Sequence, residues 1–269
     1  MRLRGRGVLA AFLRTHLERQ GDSHLFIDFS FQFEYSGGMA RQARVVIPGL
    51  PHHITQWGNN RQDVFFVDGD RVAYLGLLRE QCEKHGVRVL GYCLMTNHIH
   101  LVATPAREDS LHLAVGRTHF LYAQYINRLH GRSGHLWQGR FHSCPMDDAN
   151  AVTAVRHVER NPIRAKMRRV PWMYRWSSAA AHSGAPDPAH LLDLEAWNDL
   201  IRGVNWKEML KKVDDKETLT ALRLNTQTGR PLVSDSFLSK LERKLGRRLR
   251  PLPVGRPKKE KFETRKRHK

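Results

Sequence analysis

The chain has 269 residues, which is long enough for one large domain with appendages and for a sizeable core. Its 45 Lys and Arg against 26 Asp and Glu give a formal net charge of +19, so a polyanionic partner is expected and nucleic acid is the first candidate. No apolar stretch approaches the roughly 18 residues that span a bilayer, and the widely spaced Cys82, Cys93 and Cys144 show no disulfide or zinc pattern. We therefore expect a cytoplasmic protein with no membrane partner.

Composition divides the chain into four parts. We predict an N-terminal extension, a compact domain, a helical DNA-binding extension and a basic tail over residues 1–38, 39–183, 184–245 and 246–269. Residues 1–38 match the rest poorly, so either Met39 is the true start or these residues are a loose extension.

The basic tail is a separate electrostatic unit. Residues 243–269 hold thirteen Lys or Arg and two Glu, a net charge of +11. The Gly-Arg-Pro core around Arg256 is similar to an AT-hook, which lies in a narrow minor groove. A solvated basic tail has the same composition, so both interpretations stay open.

Hydrophobic periodicity predicts the order strand, helix, strand, strand, helix, strand, helix between residues 45 and 160. The predicted ranges are 45–47 with 52–56, 68–84, 87–96, 98–104, 110–130, 135–143 and 147–160. On the second helix Leu111, Val115, Leu121, Tyr125 and Leu129 are expected to point inward. This order indicates an α+β protein of the ferredoxin-like, split βαβ plan, with an antiparallel sheet and a C-terminal helical extension. Two helices would cover one face of the sheet and the third helix the other.

The predicted strand at 98–104 carries the candidate chemistry. Alternate side chains of a strand point to opposite faces, so His98 and His100 share one face while Ile99 and Leu101 share the other. Two imidazoles at this spacing are close enough to bind one divalent ion. A bare His-x-His is also compatible with two half-buried histidines that have no ligand.

Four segments, taken together, resemble landmarks of a known family. Residues 92–102, Tyr-Cys-Leu-Met-Thr-Asn-His-Ile-His-Leu-Val, resemble the HUH motif of IS200-like single-tyrosine transposases, in the branch associated with repetitive extragenic palindromes. Segments 58–61, 134–141 and 158–165 are similar to further landmarks in the same order. The resemblance implies metal-dependent cleavage and joining of single-stranded DNA at hairpins or palindromic repeats during transposition.

The resemblance also assigns site residues. It implies that His98, His100 and Asn161 bind a divalent ion, Mg²⁺ or Mn²⁺, and that a helix-borne tyrosine four residues before Asn161 attacks the scissile phosphate. This chain has His157 at the tyrosine position. The expected nucleophile is therefore a histidine.

Four interpretations of His157 stay open. In the first, the chain no longer cleaves and acts as a DNA-binding protein. In the second, His157 attacks the phosphate itself or activates water, since imidazole is a nucleophile. In the third, a different tyrosine serves; Tyr122 and Tyr125 lie on a helix, although the predicted packing puts that helix on the wrong face. In the fourth, His157 joins His98 and His100 as a third imidazole ligand.

Basic and aromatic residues near these segments are the candidate DNA contacts. They are Arg61, Trp137, Gln138, Arg140, Arg156, Arg160, Arg164 and Arg256. Arginine guanidinium groups can meet phosphates and aromatic rings can stack on unpaired bases. An RNA-binding regulator with the same basic surface is a further alternative, and either a monomer or a homodimer is compatible with the sequence.

Overall fold

The computed structural model describes residues 44–251, so residues 1–38, Met39 and the Gly-Arg-Pro segment with Arg256 lie outside the described part. Its centre is a four-stranded antiparallel sheet in the order β2-β3-β1-β4. The strands are β1 His52–Trp57, β2 Val87–Leu94, β3 His98–Pro105 and β4 His142–Pro145. Together with the helices described next, this sheet confirms the α+β class and the antiparallel sheet.

Three helices accompany the sheet. They are α1 Asp68–His85, α2 Arg117–Leu129 and α3 Asp148–Glu159. Helix α1 ends where expected, because Gly86 adopts the left-handed conformation with φ 64°. Helix α3 begins at the Asp147 cap, whose side chain accepts a hydrogen bond from the Asn150 N–H. Local sequence signals thus determine both helix ends.

Six more helices follow α3. They are α4 Asn161–Arg164, α5 Ala179–His182, α6 Leu194–Leu200, α7 Trp206–Lys211, α8 Lys216–Thr228 and α9 Asp235–Leu245. The last four of them, α6 to α9, form the C-terminal helical extension. Helix α9 is amphipathic as expected, and its Leu241 packs with Val45 and Ile47 in a small separate core. None of the helices within residues 44–251 is long and apolar enough to cross a membrane.

The strand register places a third histidine on the face of His98 and His100. Opposite residues of an antiparallel pair share a face, and β1 pairs with β3 so that Val102 lies opposite His53 and His100 opposite Thr55. His53 therefore shares the histidine face of the sheet, a name we use for the side that carries His53, His98 and His100. The sequence alone did not show this, because register between distant strands is a tertiary property.

Helix α3 lies across the histidine face. Its Ala151, Ala154 and Val155 are fully buried, and a Cβ built at Gly91 on β2 would lie 3.1 Å from the Val155 side chain. Small residues on both elements permit this close approach. The approach brings the C-terminal turn of α3, with His157, over the strand histidines.

Two predicted strands differ from those in the structure. Residues 45–47 are not part of β1; Val45 and Ile47 pack on α9 instead. Strand β4 is His142–Pro145 rather than 135–143, because Gly139 has φ 68° and breaks the extended run after Trp137.

The residues that α2 points into the core also differ from the predicted ones. Tyr122 and Ile126 are fully buried there, whereas Leu129 is 41 % exposed. A π-helical turn, His112–Gly116, precedes α2, and its extra residue per turn rotates the following residues relative to a regular α-helix. The predicted periodicity assumed no such turn.

Buried neutral histidines in the core make the fold sensitive to acid. Burial lowers the pKa of His52 to about 4 and that of His119 to about 3, and His119 Nε2 lies 3.0 Å from the Tyr74 hydroxyl. An unfolded histidine has a pKa near 6.5. Below that pH the unfolded chain binds protons that the folded chain does not, so the free energy of unfolding falls as the pH falls toward 4.

We expect His119→Gln to reduce this acid sensitivity. One histidine contributes about 1.4 kcal/mol per pH unit between the two pKa values. Urea unfolding at several pH values between 6 and 4 should therefore give a slope that is smaller in His119→Gln by about that amount. Equal slopes in the two proteins would show that His119 already carries a proton in the folded state.

Candidate metal centre and nucleic-acid interface

Four imidazoles meet on the histidine face beneath α3. The ring centroids of His98 and His100 are 5.0 Å apart, and those of His100 and His53 are 5.3 Å apart in a stacked pair. His157 from α3 lies 5.8 Å from His100 and 6.1 Å from His53, edge-on to both. The structure thus brings His98, His100 and His157 together and adds His53 to them.

Hydrogen bonds orient His98. The Asn97 amide nitrogen donates to the Arg61 carbonyl at 3.1 Å, so the amide oxygen is the atom that faces His98 Nδ1 at 2.7 Å. An amide oxygen only accepts, and Nδ1 must therefore carry the proton. The unshared electron pair of His98 is then on Nε2, the nitrogen that can bind a metal.

Trp57 covers the ring of His98, and Arg61 lies over the ring of Trp57. The Trp57 ring stacks on His98 with centroids 3.8 Å apart, and the Arg61 guanidinium carbon lies 4.1 Å from the Trp57 ring centroid. Asn60 and Arg61 have positive φ angles of 50° and 60°. This backbone turn holds Arg61, a candidate DNA contact, on the exposed side of the stack.

All four histidines are neutral. Burial, with a further contribution from Arg164, lowers the pKa of His53 and of His98 to about 3, and Arg61 adds to the effect at His98. Burial lowers the pKa of His100 and of His157 well below the usual value, and Arg164 and the neighbouring histidines act in the same direction. Metals bind neutral imidazole, so the protonation state suits coordination.

His98 and His100 are the two imidazoles that a divalent ion could use on the histidine face. The rings of His98 and His100 lie with centroids 5.0 Å apart, and Asn161, one helical turn after His157, would contribute its amide oxygen. Within residues 44–251 no three His, Cys, Asp or Glu side chains are spaced to hold a metal. The three-imidazole site predicted as one alternative for His157 is therefore not formed in this structure, and phosphate oxygens or water would complete the coordination.

His157 is almost completely enclosed. It is 2 % exposed, its Nε2 lies 3.4 Å from the Arg164 guanidinium, and its Nδ1 is buried without a partner. The guanidinium is a donor, so it faces the unshared pair on Nε2 and leaves the proton on Nδ1. His157 thus has the protonation state of a nucleophile, but access to it requires movement of its neighbours.

Three of the candidate DNA contacts hold the C-terminal extension. Arg156, Arg160 and Arg164 place guanidinium nitrogens 3.5, 3.0 and 3.1 Å from the carboxylate of Asp214, whose side chain is 8 % exposed. Arg156 also donates to the Met209 carbonyl at 2.9 Å, and Arg160 to the Leu210 carbonyl. We call Arg156, Arg160 and Arg164 the arginine cluster. The sequence indicated their crowding but not Asp214, which lies fifty residues away.

The other predicted contacts differ in exposure. Gln138 and Arg140 are exposed on the loop before β4. Trp137 is buried and donates its indole N–H to the His119 carbonyl at 3.0 Å, so it belongs to the core and offers no ring face to a base. Tyr122 is buried too, and its hydroxyl donates to the Val64 carbonyl at 2.7 Å. Tyr122 therefore does not replace the missing tyrosine in this structure.

The fold and the site define an α+β protein with a candidate divalent-metal centre on one face of an antiparallel sheet. Residues 47–161 match the family model described as Transposase IS200 like. The match spans less than half of the chain, identifies residues 47–161 as an IS200-like transposase domain and supports a transposase-like, DNA-binding role for that domain. The match includes His98, His100, His157 and Asn161 and ends before the helical extension.

Two solved structures are similar to parts of the chain. One is a REP-associated tyrosine transposase bound to a REP hairpin, with 14 % identity and a TM-score of 0.44 over 55 % of this chain and 89 % of that one. The other is a proposed transposase from Deinococcus radiodurans R1, with 19 % identity and a TM-score of 0.31 over 39 % of this chain and 84 % of that one. No curated protein matches the chain. These structural likenesses are too weak to carry function, which is argued below from the residues of this chain.

Proposed function

We propose that the protein binds single-stranded or hairpin DNA and cleaves and rejoins one strand at the histidine face with the help of a divalent ion. The observation that supports this proposal is the pair of neutral imidazoles, His98 and His100, that lie side by side on β3. When bound there, Mg²⁺ or Mn²⁺ would offset the negative charge that grows on the phosphate oxygens. Asn161 is the proposed third ligand.

The proposed nucleophile is His157. Its Nε2 would form a bond to phosphorus while the bond from phosphorus to the 3′ oxygen breaks, leaving a 5′-phosphohistidine and a free 3′-hydroxyl. The imidazole loses its Nδ1 proton in this step and the departing 3′ oxygen gains one, so the protons balance. Rejoining is the reverse reaction with a second 3′-hydroxyl. The low pKa of His157 supports this role, because only a neutral imidazole has an unshared pair to donate.

One observation favours a second function, DNA binding without cleavage. His157 is 2 % exposed, and the arginine cluster beside it is occupied by Asp214. A phosphate cannot reach His157 unless these neighbours move. In that case the exposed Arg61, Gln138 and Arg140 would carry recognition of a palindromic DNA, with Arg256 in the tail as a proposed further contact.

Incubation with end-labelled hairpin DNA and Mn²⁺ tests both functions. The proteins compared are the wild type, His98→Ala, His157→Ala and His157→Tyr, with His112→Ala, an exposed histidine, as the matched control. Cleavage with a covalent protein–DNA adduct in the wild type and its loss in His157→Ala would identify His157 as the nucleophile. Binding without cleavage in the wild type, with an adduct restored by His157→Tyr, would favour the binding function.

Two results would contradict the proposal. Cleavage by His98→Ala at the rate of the wild type and of His112→Ala would show that β3 does not hold the metal. Preference for RNA over DNA of equal sequence would favour an RNA-binding regulator over both proposed functions.

A further inference from the structure

A helix outside the family domain reaches the candidate metal centre. Helix α8 lies more than fifty residues beyond the end of the match at 161 and packs against β4 and β1. Its Thr226 is 3 % exposed, and the Thr226 hydroxyl oxygen lies 2.7 Å from His53 Nδ1. His53 Nε2 in turn lies 3.1 Å from His100 Nδ1.

The direction of each hydrogen bond in this series can be deduced from its first member. The Thr226 hydroxyl donates its single proton to the Leu222 carbonyl at 2.7 Å, as threonine often does within a helix. Its oxygen must therefore accept from His53 Nδ1, which carries the proton. His53 Nε2 then has no proton and accepts from His100 Nδ1. The unshared pair of His100 is left on Nε2.

We propose that Thr226 and His53 are positioning residues of the metal site. They hold the proton of His100 on Nδ1, fix the rotation of its ring and leave Nε2 ready to bind the ion, as Asn97 does for His98. A hydrogen-bonded partner on the second ring nitrogen orients a metal-binding histidine and makes it a better ligand. This inference rests on the proposed function, in which His100 is a ligand, and it makes the helical extension a functional part of the site.

Because the residues are buried, the direction of each of these hydrogen bonds depends on the one before it. His53 is 1 % exposed and His100 7 %, so water does not compete freely for their ring nitrogens. Without the Thr226 hydroxyl, His53 Nδ1 would be a buried donor with no acceptor, and His53 would avoid that cost by moving its proton to Nε2. The proton of His100 would then be forced onto Nε2, the nitrogen that should bind the metal.

Thr226→Val tests the proposal because valine keeps the volume of threonine and removes the hydroxyl. Binding of Mn²⁺ alone, measured by calorimetry, should be weakened about 10- to 100-fold, as for loss of other such partners. Thr226→Ser restores the hydroxyl and should bind within about threefold of the wild type. The matched control is Thr228→Val, which loses the same kind of bond, from Thr228 to the Leu224 carbonyl at 2.8 Å, but does not accept from His53.

The metal-free protein provides a test that does not depend on metal binding. Nitrogen-15 NMR of the histidine rings should show the proton on Nδ1 of His53, His98 and His100, and in Thr226→Val the His100 proton should move to Nε2. An Nε2 proton on His100 in the wild type would overturn the proposal.

The calorimetry separates failure of this inference from failure of the proposed function. If Thr226→Val binds Mn²⁺ as tightly as the wild type while His98→Ala has lost binding, the metal site stands and the positioning role is wrong. If His98→Ala also binds as the wild type does, the metal site itself is wrong.

Discussion

Glu159→Ala should destabilise the protein by about 3–5 kcal/mol, because it removes the shared acceptor of a buried hydrogen-bond network. The Glu159 carboxylate is fully buried at the end of α3. It lies 2.5 Å from His182 Nδ1 and accepts from the Ser178 hydroxyl at 2.5 Å and from the Trp206 indole N–H at 2.8 Å. Alanine would leave the His182 and Trp206 donors without an acceptor, each costing about 1–3 kcal/mol if water does not enter, while the Ser178 hydroxyl keeps only the Tyr92 carbonyl at 3.3 Å.

This one carboxylate joins α3 to α5 and α7. Its loss should therefore also loosen the turn of α3 that carries His157. Urea unfolding measures the free energy change, and Glu83→Ala serves as the control. Glu83 forms an exposed pair with Arg79 at 3.9 Å, so its removal should cost about 0.5 kcal/mol or less. Similar losses in the two variants would show that the Glu159 network is hydrated and weak.

Asp214→Ala should cost a comparable amount, about 3–5 kcal/mol, because the arginine cluster would lose its carboxylate. Its three guanidinium groups would then repel one another in a site where the Asp214 side chain is only 8 % exposed. Partial burial also weakens screening by salt, so the loss should persist at high ionic strength. Asp199→Ala is the control, since its pair with Arg202 is exposed and should contribute little.

The same variant tests whether the arginine cluster contacts DNA. If phosphates bind there, Asp214 competes with them, and Asp214→Ala should bind hairpin DNA more tightly at low salt. The logarithmic salt dependence of binding should also steepen by about 0.7–0.9 for each additional phosphate that the variant neutralises. Both measurements are made at a temperature where circular dichroism shows the variant folded. An unchanged affinity and salt slope would mean that the cluster only anchors the extension.

The arginine cluster shows that the charges in a sequence do not reveal which residues they pair with in the fold. In the sequence, Arg156, Arg160 and Arg164 lie close together near the end of α3, which suggested contacts to DNA. The structure instead turns Glu159 inward to His182 and brings Asp214 to the arginines. Charge patterns are visible in the sequence, but the partner of each charge depends on packing between residues far apart in the chain.

The histidine site was partly predictable. Alternation along a strand placed His98 and His100 on one face, and helical spacing from Asn161 located His157. His53 was missed although it belongs to the tandem His52-His53 in a predicted strand, because the pairing of β1 with β3 was needed to bring it beside His100. Nothing in the sequence around Thr226 predicted its contact with His53, because a single threonine in a helix forms no recognisable motif.

The sequence by itself determined the α+β class, the antiparallel sheet, the ends of α1 and α3 and the pair of histidines on β3. These features follow from short-range rules: side-chain periodicity, helix capping and left-handed glycine. Only the tertiary structure decided which nitrogen of His100 carries a proton, which carboxylate occupies the arginine cluster and how deeply His157 is enclosed. Those properties arise from hydrogen bonds, charge and burial between segments that are brought together only by folding.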